Sequence, residues 1–536
     1  MTKNNKIFIV VAIIIASLVA VYLGLSFYFT THFYFRSSVN GVDVSGKSIT
    51  SAKETIQKTM DEYELVIIER DGTKESIVGN EIALECRWDN EIDTFLATQN
   101  GFGWILKVFK PDIHSSPMQV SFDDEKLQVR MQNLSCMDAK KQIAPESAAI
   151  SEYSEKDGYK LVPSVAGSQI NYTAFQSSIN QAIYNMKTEL NLDEAGCYVL
   201  PEITDDNEKL LAAISQLNKS LETMITYQVG ESTQILDKSV FQPWFIVDDQ
   251  MNVSIDEAQL SAYVKELSST YNTCYGAKKL MTSYGVEVTI PNSHYGWKVN
   301  TVAEKEAILA SILAGEQITR DLNYSMTANS HEGNDYGNSY VEINLTAQHL
   351  FMYVNGVLVV ETDFVSGNLA KAYNTPTGAY GLTYKERNAT LNGEDYSTPV
   401  SYWMPFAGNV GMHDATWRGS FGGSIYKRNG SHGCVNLPLS AAKTIFENIS
   451  NNFPVLVYEL AGTESPKGIA QDQAYVVIDL INAIGPVGLH SEPAIQWARA
   501  NYDALSDAAK SYVTNYQLLL DSEYVLAVLK AQAGIQ

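Results

Sequence analysis

Gly411-Met412-His413, a gap of seventeen residues, and then Ser431-His432-Gly433-Cys434-Val435-Asn436 form the stretch on which the reading of this chain turns. A thiolate nucleophile needs a lowered pKa, which a nearby imidazole or a helix N-terminus supplies. Two of the chain's eight histidines stand in this window with one of its five cysteines. His413 comes within reach of Cys434 if the strands that carry them are neighbours. His432, two residues before Cys434, shares its side of an extended chain. Gly433 leaves the backbone open to a substrate, and the amides beside it are candidates to hold an oxyanion. A lone cysteine is more often a small buried apolar side chain, so the window alone leaves nucleophile and buried thiol both open.

Around this window, residues 339–460 read as a mainly β domain. Asn355-Gly356 between two strand-like runs is a hairpin turn, and one helix is expected at 439–448. Upstream, residues 37–115 read as one α+β module, with a helix at 51–64 and a hairpin about Asp71-Gly72. Residues 116–330 read as a second, longer α+β module. Its helical patterns fall at 123–132, 172–190, 205–221, 254–271 and 301–314, the last with Thr301 and Glu304 as a capping box. The polar run 329–338 reads as a linker. Residues 472–536 read as an all-α module in three segments, 474–484, 491–505 and 506–532, with Ser491 and Ser506 as N-caps.

At the N-terminus, residues 7–29 are free of charge, with Lys3 and Lys6 before them and Arg36 after. Such a helix is ~34 Å long against a hydrocarbon core of ~30 Å. Gly24-Leu25-Ser26 offers a weak cleavage site, but the apolar run continues past it, so an uncleaved transmembrane anchor is expected. The lysines predict a cytoplasmic tail at 1–6 and a single-pass protein with the rest of the chain outside the cell. Gly41 to Ser48 satisfies the phosphate-loop pattern GxxxxGK[ST]. It lacks the preceding apolar strand such a site needs and would lie outside the cell, so it reads as a turn into a helix.

The chain has 536 residues, enough for three or four domains. Its 38 Lys and Arg against 61 Asp and Glu leave a net charge of −23. So acidic a surface argues against nucleic-acid binding. No CxxC is present, which removes a zinc ribbon, and no metal or cofactor is expected. Cys86, Cys136, Cys197 and Cys274 are either two disulfides, in any of three pairings, or reduced buried thiols.

The window resembles the signature of the L,D-transpeptidase catalytic domain, also called the YkuD domain. Asn374-Thr375-Pro376-Thr377-Gly378 resembles that family's TPTG turn, and Tyr402 to Phe406 and Phe421-Gly422-Gly423 are similar to the segments flanking its first histidine. Residues 37–330 resemble, more loosely, the peptidoglycan-binding modules that precede this domain in Gram-positive bacteria. The resemblance implies Cys434 as nucleophile and His413 as its base, with the backbone carbonyl of Asp414 orienting the imidazole. Family members often have Gly or Ser at that position, and an added carboxylate is expected to raise the imidazole's pKa. His432 and Gly433 match the loop that shapes the oxyanion site, and Ser431 and Asn436 match positions that hold it. Arg418, Trp417 and Tyr402 are candidate substrate contacts, Arg418 for a substrate carboxylate. The implied activity is 3→3 peptidoglycan cross-linking, with stem peptides as partners and carbapenem-type β-lactams as inhibitors. The alternatives are an L,D-carboxypeptidase with water as acceptor and a non-catalytic wall-binding surface protein.

Overall fold

The computed structural model describes residues 3–88, 90–117, 119–291, 293–393 and 396–535. The chain divides into two units, Met1–Ile214 and Ser215–Gln536, each taken by itself below. It is a multidomain protein: an apolar N-terminal helix, α+β modules, a mainly β domain and a helical C-terminal region.

In the first unit, helix Lys3–Tyr28 has a mean hydropathy of 2.9 over its most apolar window and is long enough to cross a membrane. The segment with the phosphate-loop pattern is a turn. Gly41 and Gly46 take φ of 85° and 67°, Asp43 Oδ1 accepts from Ser45 N at 2.9 Å, and Ser48 caps helix Ile49–Asp61. The hairpin Glu64–Ile68 and Lys74–Val78 follows, turning through Gly72 at φ 85°.

Strand Glu189–Asn191 then lies parallel to Glu64–Ile68, pairing Glu189 with Val66. This corrects two expectations. The helix expected to reach residue 190 ends at Tyr184, because residues 189–191 are taken into the sheet. The module boundary near residue 115 falls inside one core, where Leu65, Ile67 and Ile77 of the hairpin pack with Leu127, Phe175 and Ile179.

The second unit repeats this order. Helix Glu208–Ser220, which runs across the division at residue 214, leads to the hairpin Met224–Val229 and Ser232–Asp237, and Gln317–Arg320 returns parallel to Met224–Val229. Val120-Ser121-Phe122-Asp123 and Val253-Ser254-Ile255-Asp256 both run from a short strand into a helix capped by their aspartate. Ile170-Asn171 and Val299-Asn300 both precede the next helix, capped by the asparagine. Helix Thr301–Ala314 is therefore capped by Asn300 and not by Thr301. Glu304 is fully buried instead of closing a capping box; Arg320 Nη1 donates to it at 3.0 Å and Tyr227 Oη at 2.7 Å.

Segment 329–338 is tied down and does not act as a linker. Asp335 forms a buried ion pair with Lys278, Trp297 Nε1 donates to Ser330 O at 2.8 Å, and Tyr336 Oη donates to Lys279 O at 2.7 Å.

The mainly β domain has two sheets. In the first the strand order is Val357–Asp363, His349–Val354, Tyr340–Asn344, Pro454–Tyr458, Gly378–Gly381. Asn355 and Gly356 both take positive φ, as a type I′ hairpin turn requires. In the second the order is Glu386–Asn392, Ser397–Ala407, Val410–Asp414, Val435–Leu437. Val341, Ile343, Met404, Met412, Val435 and Leu437 fill the core between them, with Ile445 of helix Leu439–Asn448. Helices Pro466–Asn482, Glu492–Asp503 and Tyr516–Ala533 follow around Val477, Ile481, Ile495 and Leu519. Ser506 accepts from Ala509 N as an N-cap does, whereas Ser491 Oγ turns back to accept from Gly488 N. All five cysteines are free thiols, Cys136, Cys197 and Cys274 buried and Cys86 and Cys434 half-buried.

Candidate active site

Strand register brings the two halves of the motif together. Val410–Asp414 runs parallel to Val435–Leu437, with Met412 opposite Val435 and His413 opposite Asn436. Met412 and Val435 point into the core, so alternation turns His413 and Asn436 to the other face. A cavity of about 230 Å³ opens there, lined by His413, Cys434, Asn436, Ser431, Trp417 and Arg418 among others.

The hydrogen bonds of His413 set its tautomer. Nδ1 lies 2.9 Å from Asp414 O, an atom that only accepts, so Nδ1 carries the proton and Nε2 the lone pair. The neighbours of Asn436 orient its amide in turn: Nδ2 donates to His413 Nε2 at 3.1 Å, and Oδ1 accepts from Arg418 Nε at 2.8 Å. Arg418 Nη1 donates to Asn429 O at 2.8 Å. The Asp414 carboxylate turns away from the imidazole and accepts from Ser401 N and Tyr402 N, both at 2.8 Å.

The loop before Cys434 is built on its own small side chains. Ser431 Oγ accepts from Gly433 N at 3.0 Å and donates to Cys434 O at 2.6 Å. Gly433 sits at φ 126°, and a Cβ there would meet Val410 Cγ2 at 3.2 Å. Its N–H is committed to Ser431 in this state, so it is not a free oxyanion donor. Cys434 Sγ donates to Asn409 O at 3.7 Å.

Electrostatics favour a neutral pair. Burial pushes the Cys434 thiol up to about 11, against a smaller downward pull from a backbone contact with Gly411. Burial also holds His413 below its ordinary value; the Asp414 carbonyl and charge oppose this and the Arg418 charge adds to it. The rise expected from the extra carboxylate is thus outweighed by desolvation.

Of the three expected substrate contacts, Trp417 and Arg418 line the cavity and Tyr402 does not. Tyr402 and Trp403 leave opposite faces of their strand. Trp403 pairs with His413, while the Tyr402 ring packs 5.2 Å from that of Phe446. Several lining residues carried no motif. Leu391, Tyr396 and Thr398 come from the hairpin of the second sheet. The His432 ring has Tyr396 at 4.6 Å and Tyr373 at 4.9 Å. Thr375, in the TPTG-like turn, donates to Gly433 O at 2.6 Å and so braces the loop before Cys434.

Comparison with known proteins fits this geometry. Residues 338–457 match the L,D-transpeptidase catalytic domain, YkuD, and residues 208–320 match a proposed peptidoglycan binding domain, PG_binding_4. The solved Ldtfm–avibactam carbamoyl enzyme is 34% identical over 46% of this chain and 98% of its own, with a TM-score of 0.39. A cysteine-to-serine mutant of Enterococcus faecium L,D-transpeptidase is 33% identical over 47% of this chain and 100% of its own, with a TM-score of 0.39. The catalytic domain of the E. faecium enzyme, acylated by ertapenem, is 41% identical over 23% of this chain and 98% of its own, with a TM-score of 0.22. No curated protein matches the chain. On the two domain matches, and on identity above 30% over nearly the full length of those enzymes, the chain belongs to the L,D-transpeptidase family.

Proposed function

We propose that the protein is a membrane-anchored L,D-transpeptidase that makes 3→3 peptidoglycan cross-links through a thioester on Cys434. The observation that carries this reading is the tautomer of His413, whose basic Nε2 belongs to the same cavity as the Cys434 thiol.

In the first step the Cys434 sulfur attacks the carbonyl before the terminal D-Ala of a tetrapeptide stem, and the thiol proton passes to His413 Nε2. The tetrahedral intermediate collapses, the C–N bond breaks, and D-Ala leaves with that proton on its amine. In the second step an amine of a neighbouring stem, deprotonated by His413, attacks the thioester, and the thiol regains its proton. Asn436 and Asn409 must yield their hydrogen bonds to Nε2 and Sγ for the first transfer. Transfer over hydrolysis requires that water be kept from the thioester, and Tyr373 and Tyr396 beside His432 are the side chains suited to that.

The ertapenem acyl-enzyme of the E. faecium domain supports the same reaction here, with Cys434 opening a carbapenem ring. Residues 208–320 would hold the wall polymer, and the N-terminal helix would anchor the chain with residues 1–6 in the cytoplasm. Incubating the ectodomain with tetrapeptide stems and weighing the products tests the proposal. A product of two stems less one D-alanine is expected; tripeptide plus D-alanine alone would make the enzyme a carboxypeptidase.

A further inference from the structure

We propose that the C-terminal helical module positions the active site, by clamping the segment that joins His413 to Cys434. The proposal rests on the reading of Cys434 as nucleophile given above. Neither domain match extends past residue 457.

Between the strand that ends at Asp414 and the one that begins at Val435, the chain makes a long excursion that forms one wall of the cavity through Trp417, Arg418, Gly430 and Ser431. Inside, it is held mainly at its two ends, where Ala415 N donates to Leu437 O, Ser431 N to Ser366 O and Asn368 N to Ser431 O, all at 2.9 Å. Between them Gly422 N donates to Phe364 O at 2.9 Å and Asn368 Nδ2 to Arg428 O at 2.9 Å. Outside, helix Pro466–Asn482 grips it along one stripe. Lys467 Nζ donates to Ser420 Oγ at 2.8 Å and Phe421 O at 2.7 Å. Ser424 Oγ donates to Gly468 O at 3.0 Å, and Ser424 N to Gln471 Oε1 at 2.7 Å. Lys427 pairs with Asp472 at 2.7 Å. Arg428 meets both oxygens of Asp479, the first at 2.8 Å, and lies 4.4 Å over the Tyr475 ring.

Positions 467, 468, 471, 472, 475 and 479 recur every three to four residues, which is one face of a helix. Ala474, Val477, Ile478 and Ile481 lie on the face turned to the module's own core. Ser424 and Gln471 are both buried, so this contact is enclosed, and a buried amide spent on a loop N–H is costly to break.

The clamped residues end two positions before Gly430 and three before Ser431, whose hydroxyl holds Gly433 and Cys434. Movement of the excursion therefore shifts the cavity wall at Trp417, Arg418 and Gly430, and pulls on Ser431 against its 2.9 Å hydrogen bonds with Ser366 O and Asn368 N, at the start of the loop that carries the thiol. Displacements on the order of 1 Å at a reacting group cost up to ~10²-fold in rate. The module acts through that segment and touches no substrate, so its residues are positioning residues.

The test is a charge exchange in the full ectodomain: Arg428→Asp, Asp479→Arg and the double variant. Turnover on stem peptides is measured as kcat and KM, and acylation of Cys434 by a carbapenem as a rate by intact mass. Each single variant should lose about tenfold in kcat and in acylation rate, with KM within twofold, since positioning is worth a factor of this order. The double variant should recover to within about threefold, because the pair is restored with its polarity reversed. Asp479→Asn, which removes the charge and keeps the shape, guards against misfolding and should give a smaller loss in the same direction. Wild-type rates in the single variants, or no recovery in a double variant of wild-type Tm, would overturn the proposal. Cys434→Ala is measured beside them. If it still cross-links, the reading of the site fails; if it is inactive while the Arg428 and Asp479 variants are unimpaired, only the clamp fails.

Discussion

Asn436 caps the imidazole of His413, its amide nitrogen 3.1 Å from Nε2. The imidazole is thus neutral, with its Nε2 lone pair occupied. Replacing the amide by a carboxylate reverses the requirement: an Asp side chain accepts, so Nε2 must carry a proton to meet it. Asn436→Asp should raise the imidazole pKa, as an adjacent opposite charge does. In the wild type, kcat/KM should fall on the acid side only below the ordinary imidazole value of 6.5, because burial lowers the His413 pKa. In Asn436→Asp that limb should move to higher pH than in the wild type, which a pair of pH–rate profiles reads directly.

Arg418 spends its guanidinium on Asn436 Oδ1 and Asn429 O, groups of its own chain. It therefore acts on the orientation of Asn436 more than on a substrate carboxylate. Arg418→Ala should lower kcat by about tenfold and leave KM within twofold. Arg418→Lys should not restore it, since an ammonium lacks the fork that reaches both acceptors. A large rise in KM at constant kcat would return Arg418 to the role of substrate clamp.

The thiol is the next point of control. With Cys434 raised to about 11, the free enzyme should react slowly with iodoacetamide at neutral pH. The rate should climb with pH through 9 and 10, without the plateau near pH 7 that a resting thiolate–imidazolium pair would give. Alkylation kinetics of the ectodomain, followed by mass at the peptide containing Cys434, check this.

Asp414 serves two masters. Its carbonyl orients His413, and its buried carboxylate takes the amides of Ser401 and Tyr402. Asp414→Ala keeps the first contact and removes the second, leaving two amides without acceptors. A loss of about 2–3 kcal/mol in stability is expected, with activity of the folded fraction largely kept. Denaturant unfolding beside turnover at low temperature separates the two effects.

Much of the site was legible because it is local. His432, Gly433 and Ser431 lie next to Cys434, and one parallel pairing brings His413 to Asn436. What strand alternation decides was harder to read: Tyr402 and Trp403 are neighbours in sequence and face opposite ways. Leu391, Tyr396 and Thr398, which line the cavity from a separate hairpin, Asn409, which meets the thiol, and Tyr373, which meets His432, carry no spacing that links them to Cys434. The same limit hid the repeated module. Its strand Glu189–Asn191 is three residues long and pairs across more than a hundred residues of chain, so periodicity extended the preceding helix through it. In residue 329–338, polarity suggested a linker because the ion pair that buries Asp335 comes from Lys278, far back in the chain.

The proposed thioester on Cys434 is open to direct capture. The ectodomain is quenched in acid during turnover on tetrapeptide stems, and its intact mass and peptide map are taken. An added stem less D-alanine is expected on the peptide spanning Ser431 to Asn436, absent from Cys434→Ala. Cross-linked product formed without that adduct, or an adduct on Cys86, Cys136, Cys197 or Cys274 in its place, would contradict it.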